Sequence, residues 1–159
     1  RNMFWKKKPK KDKKEKAPWE KKAARAGLSK PTLIRKLDSV FSEFIRLRDS
    51  KEYNFEYFRC PTCGKVKPFE QADCAHYIKR SCMALRWSEM NCHIGCRYCN
   101  RYLDGNMLEY RKWMVKKYGE QQVDLLESRR FETKKWSLFE LQMLIKHYEE
   151  EVKKLKDSL

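Results

Sequence analysis

Apolar residues recur at helical spacing in three stretches of the chain and lose that spacing between them. Leu33, Leu37, Val40, Phe44 and Leu47 follow one another at alternating four- and three-residue steps, with Ile34, Phe41 and Ile45 widening the stripe. That is the period of an amphipathic helix, predicted over residues 32 to about 50. Ser29-Lys30-Pro31 just ahead reads as its start, because Ser caps well and Pro is tolerated in the first turn. After the turn signature Asp104-Gly105-Asn106, Met107, Leu108, Trp113, Met114 and Val115 predict a helix over 107–118 that stops at Gly119, and a further helix is expected over 120–129. From Ser137 onward, Leu138, Leu141, Leu144, Ile145, Tyr148, Val152 and Leu155 mark a long amphipathic helix, with Glu149, Glu150, Glu151, Lys153 and Lys154 on its exposed side. Its stripe fits either a core face or a dimer seam. Residues 57–100 are cysteine- and turn-rich and predict a knuckle, a β-hairpin, a loop and then a helix opening near the second cysteine pair. The fold class is α+β. Four regions are expected: a basic arm (1–30), an N-terminal helix (31–56), a metal-bound core (57–106) and a C-terminal helical region (107–159).

Charge narrows the class of partner. With 159 residues, 41% of them hydrophobic, the chain can build one compact domain plus appendages. Its formal charge of +16 opposes compaction and points to a polyanion, nucleic acid first and an anionic membrane surface second. Residues 1–30 hold 13 Lys or Arg against 3 Asp or Glu, a balance of +10, which includes Lys6, Lys7 and Lys8. Such a polar stretch cannot bury enough surface to offset its ordering entropy, so it is expected to be disordered alone and to follow a phosphate backbone. A solubilising tail or a localisation signal is the other reading of the same residues. No apolar run approaches the roughly 20 residues that span a bilayer, and no segment resembles a signal peptide, so a soluble, intracellular protein is expected, with no membrane partner.

The cysteines carry the first chemistry. Cys60-Pro61-Thr62-Cys63 and Cys96-Arg97-Tyr98-Cys99 are two CxxC knuckles, each offering two sulfurs from one tight turn, and four thiolates in two such pairs suit a structural tetrahedral Zn²⁺. Seven cysteines with this spacing fit a reducing compartment better than a secreted disulfide framework. Cys74, Cys82 and Cys92 read as buried small hydrophobes, with a swap into the zinc shell as the other reading of the three, Cys92 standing only four residues before Cys96. Between the knuckles lie residues suited to phosphodiester hydrolysis, which needs an activated water and relief of negative charge. His76 is the candidate base, with a backbone or amide carbonyl holding one ring nitrogen and Asn91 as the orienter, and a zinc ligand or a satisfied core histidine is the other reading of it. Asp73 and Asn100 offer hard oxygens for Mg²⁺ or Mn²⁺, and Asn100 directly follows Cys99, so zinc would fix the helix that presents it. Asp73 precedes His76 by three residues, so a bulge or turn is expected between them if both are to reach one phosphate. His93 can contact the metal, the phosphate or the zinc shell. Lys79, Arg80, Arg86, Arg97 and Arg101 are candidate phosphate clamps or a solvated basic face.

These residues resemble a known family. Cys60-x-x-Cys63, Asp73-Cys74-Ala75-His76-Tyr77-Ile78, Asn91-Cys92-His93 and Cys96-x-x-Cys99-Asn100-Arg101 are similar to the NinG (Rap) recombination proteins of lambda-type phages, a likeness extending over residues 55–130. The resemblance implies a phage-encoded nuclease in the host cytoplasm that cuts branched intermediates such as Holliday junctions and D-loops with a divalent metal. More broadly the segment resembles the HNH, or ββα-metal, nucleases. On that likeness His76 matches the base, Asn91 the central Asn, Asn100 the final metal ligand and Asp73 the acidic ligand. Ala75 departs from the pattern, since most such nucleases place a metal ligand immediately before the base. A homodimer is expected, because a four-way junction needs two symmetric nicks, with a phage recombinase as a further partner. The competing expectation is a noncatalytic, zinc-stapled DNA-binding accessory protein of recombination.

Overall fold

A computed structural model describes residues 29–158. Residues 1–28, with Lys6, Lys7, Lys8 and most of the basic arm, lie outside the described residues. The first helix, α1 (Lys30–Ser50), opens as its sequence demands: the Ser29 hydroxyl accepts from the Thr32 amide at 3.4 Å and Pro31 sits in the first turn. Lys30 therefore belongs to the helix and not to the arm.

Four short strands and four more helices follow. β1 (Tyr57–Arg59) and β2 (Val66–Pro68) form an antiparallel hairpin whose turn contains the first knuckle, with the Gly64 amide closing on the Cys60 carbonyl at 2.8 Å. β3 (Ala72–His76) and β4 (Cys92–Cys96) form a second antiparallel pair, joined by the folded loop 77–91. Then come α2 (Arg97–Tyr102), α3 (Met107–Tyr118), α4 (Glu120–Ser128) and α5 (Leu138–Lys156). A full capping box between Ser137 and Glu140 starts α5, so two backbone donors at the helix N-terminus are satisfied reciprocally.

Three clusters of buried side chains position the rest. The stripe of α5 packs on α1: Leu141, Ile145, Tyr148 and Val152 meet Leu33, Leu37, Phe41 and Phe44, with Tyr148 edge-on to Phe41 at 4.9 Å between ring centres. It is a core face. A second cluster gathers Ala75 and the loop 77–91 against Tyr110, Met114, Val123 and Leu126 of α3 and α4. The third, Phe58, Cys60, Ala72, Ile94, Cys96 and Cys99, surrounds the knuckles. No helix among the described residues is long and apolar enough to cross a membrane.

Candidate functional site

The four knuckle cysteines converge. Their Sγ atoms all lie within 4.8 Å of one another, with Cys63 to Cys96 at 3.9 Å. A tetrahedron with Zn–S bonds of about 2.3 Å has edges of ~3.8 Å, so the group can hold a zinc ion. Burial works against a Cys60 thiolate, but the Thr62 hydroxyl and the amides of Cys96, Cys63 and Thr62 outweigh it and bring this thiol down to about 7. Burial pushes the Cys96 thiol up to about 12, and the neighbouring Cys60 charge adds to the rise. The Cys60 thiolate forms readily and a Cys96 thiolate beside it needs a cation, which is the electrostatic demand a dication meets. Cys92 stands outside this group.

α2 begins on the second knuckle, the Cys96 Sγ capping it by accepting from the Cys99 amide at 3.4 Å, and so carries Asn100 and Arg101 to β3. Asn100 Nδ2 donates to Asp73 Oδ2 at 3.0 Å, while Arg101 donates to both Asp73 oxygens at 2.7 and 2.8 Å. Burial alone would raise the Asp73 pKa, but Arg101 and Asn100 overcome it and hold the carboxyl below its ordinary value.

His76 occupies a neighbouring cleft of about 400 Å³ between α1, β3 and the turn before α3, with Asp38, Ser42, Cys74 and Asn100 among its walls. Asp73 lines a second cleft, and Ser42, Cys74 and Asn100 border both, so the two abut along α1. The expected bulge is absent: residues 72–76 pair one to one with residues 96–92. Strict alternation therefore sends Asp73 and His76 to opposite strand faces, and Asn100 is what connects their clefts.

The ring of His76 is held by the Arg86 carbonyl, 2.9 Å from Nε2. This is the backbone option for its orienter. Asn91 acts one step away: wholly buried, its amide accepts from the Ile78 N–H at 2.6 Å and donates to the Ile78 and Leu85 carbonyls at 3.0 and 3.1 Å, bracing the loop that carries Arg86. Burial, with Arg80 adding to it, lowers the His76 pKa below 6.5, so the imidazole is neutral at pH 7. With Nε2–H committed to a carbonyl, the lone pair is on Nδ1.

His93 is set apart from this cleft. It faces α3, with Nδ1 3.0 Å from Tyr110 Oη and Nε2 2.7 Å from Tyr118 Oη. Tyr110 donates its proton to the Ala75 carbonyl, so His93 Nδ1–H donates to Tyr110 and the bare Nε2 accepts from Tyr118. Burial, with Lys117 and Arg48 nearby, depresses its pKa to about 2. His93 is a satisfied neutral core histidine.

The candidate phosphate clamps divide by freedom. Lys79 and Arg80 line the His76 cleft, and Arg97 and Arg101 line the Asp73 cleft. Arg86 is the least free, donating to both oxygens of Asp38 and to the Arg80 carbonyl. Asp38 and Arg46 are among the wall residues that sequence reading missed. Asp38 ties together Arg80, Arg86 and the Trp87 indole, partners more than forty residues away that no local pattern announces.

Against known proteins, the family described as Bacteriophage Lambda NinG protein matches residues 2–158. The chain belongs to the NinG family. It is 29% identical to protein ninG of Escherichia phage lambda over 126 residues, which cover 79% of this chain and 58% of that protein. Protein ninG of Salmonella phage P22 matches with the same identity and shares, and that of Enterobacteria phage H19B at 27%, over 79% of this chain and 59% of the relative. The aligned region thus spans under two thirds of these NinG relatives. No solved structure matches the chain.

Proposed function

We propose that this NinG chain is a metal-dependent endonuclease of branched DNA, with a ββα-metal (HNH-type) core. The observation that carries the reading is the neutral His76, locked by the Arg86 carbonyl in a cleft rimmed by Lys79 and Arg80 and walled by Asn100. Its free Nδ1 is suited to take a proton from an attacking water, and its depressed pKa keeps it unprotonated at neutral pH. Asp73 and Asn100, joined by the hydrogen bond from Asn100 Nδ2 to Asp73 Oδ2, each carry a hard oxygen, a donor set that fits Mg²⁺ or Mn²⁺, ions that keep much of their water shell. Such an ion would supply charge neutralisation at the phosphate and the leaving oxygen. Arg97, Arg101 and Arg46 along the adjoining cleft suit the strand backbone. The four-cysteine zinc group holds the start of α2, and with it Asn100, in place. Two symmetric nicks on a four-way junction favour a homodimer, and a recombinase would act on the same DNA.

One observation favours a second reading, a noncatalytic DNA-binding accessory protein: Arg101 already engages both oxygens of Asp73. On the nuclease reading that guanidinium must turn toward a phosphate as the metal enters.

Cleavage of a synthetic four-way junction and a matched linear duplex, with Mg²⁺, Mn²⁺ or chelator, tests the two. Metal-dependent nicking confined to the junction is expected, falling by about 10²- to 10⁴-fold in His76→Ala while binding is retained, as for loss of a general base. Tight binding without nicking under any metal, identical in the variant, would leave the accessory role.

A further inference from the structure

We propose that Cys74, His76 and Cys92 form a second metal site, separate from the four-cysteine group, that takes Zn²⁺ or another thiophilic dication. Their three ligand atoms lie within 4.8 Å of one another. The strand register produces this: Cys92 pairs directly with His76, and Cys74 lies two residues back on the same face of β3. Cys92 and Cys96 are four residues apart on one strand, roughly 13 Å at strand rise, so a single ion cannot bind both. Two thiolates and an imidazole select zinc over magnesium.

Three protein ligands leave a fourth position open, as in zinc sites that bind water or an exchangeable ligand. Cys74 and His76 line the cleft while Cys92 is wholly buried, so the open side is the cleft side. The His76–Arg86 carbonyl bond is the kind of outer support that ligating histidines use to fix their orientation. A zinc ion here would occupy the histidine that the nuclease reading needs as a base. Zinc and base catalysis then exclude each other, and the site becomes an inhibitory one. That consequence rests on the nuclease reading; the site itself does not.

The test is zinc stoichiometry on the full chain after equilibration with Zn²⁺ and gel filtration, with Co²⁺ substitution to read thiolate-to-metal charge transfer. The intact chain is expected to hold about two zinc ions, and Cys74→Ser and Cys92→Ala about one each, with the four-sulfur cobalt spectrum retained. Cys74 is only partly buried, so Cys74→Ser decides the matter if Cys92→Ala fails to fold, as judged by circular dichroism. A count of about one in all three proteins, or about two in all three, would overturn the proposal. Added Zn²⁺ should also slow Mg²⁺-dependent nicking about a hundredfold, relative to each protein's own rate, in the intact chain but not in Cys74→Ser. If no metal supports nicking, the nuclease reading fails and the zinc count still decides this site.

Discussion

Two buried polar residues in the middle of the chain act through what they hold. Asn91 satisfies one amide and two carbonyls of the loop 77–91, and Asn91→Ala strands all three in a site with no exposure. Each stranded group costs about 1–3 kcal/mol, so a loss of about 3 kcal/mol or more is expected in urea denaturation. A loss under about 1 kcal/mol would mean that water replaces the amide. His93 makes stability depend on pH. Its folded pKa, about 2, lies below the ordinary 6.5, so the unfolded chain binds the extra proton and stability falls as pH drops through 6.5. At pH 5 this one residue should cost about 2 kcal/mol relative to pH 7, a difference that His93→Gln removes. Equal pH dependence in the two proteins would show that another group governs the acid limb. The grouping of the four cysteines was legible because CxxC spacing is a local signature; that a carbonyl would hold His76 was expected, but that it is the Arg86 carbonyl was not legible, because a backbone group has no signature.

Elements were legible where periodicity and caps coincide. The helix predicted over 107–118 is Met107–Tyr118, that over 120–129 is Glu120–Ser128, and the stretch read from Ser137 onward is the helix Leu138–Lys156, with Ser137 as its cap. Strands of three residues are too short to show alternation, so the hairpin holding the first knuckle was invisible in the pattern. The stripe of α5 did not by itself distinguish core from dimer seam, since α1 and α5 are far apart in sequence and both carry apolar faces. Between β3 and β4 the fit is close at one point: a Cβ at Gly95 would stand 2.9 Å from the Cβ of Ala75. Both atoms are fixed to paired strands, so Gly95→Ala should force the strands apart and lower stability by about 1–3 kcal/mol, measurable as a drop in melting temperature. An unchanged melting temperature would mean that the pair can shear without cost.

At the scale of the molecule, charge and closure dominate. Residues 1–28 hold more than half of the net charge, and on the proposed reading they follow phosphates. Deleting them should weaken binding to every DNA shape and flatten the salt dependence, by about 0.9 in log–log slope for each phosphate that the arm neutralises. An unchanged slope would remove the arm from the interface. The cleft of His76 is roofed by α1, and α1 is held down by α5, about a hundred residues later. That pairing joins the first and last of the described helices, a long-range contact of the kind that slows folding. A chain still on the ribosome, with the residues beyond 137 not yet emerged, has Asp38 able to meet Arg80, Arg86 and Trp87 but the apolar stripe of α1 without the face of α5 against it. The roof of the cleft is therefore fully pinned only after residues 138–156 have been made.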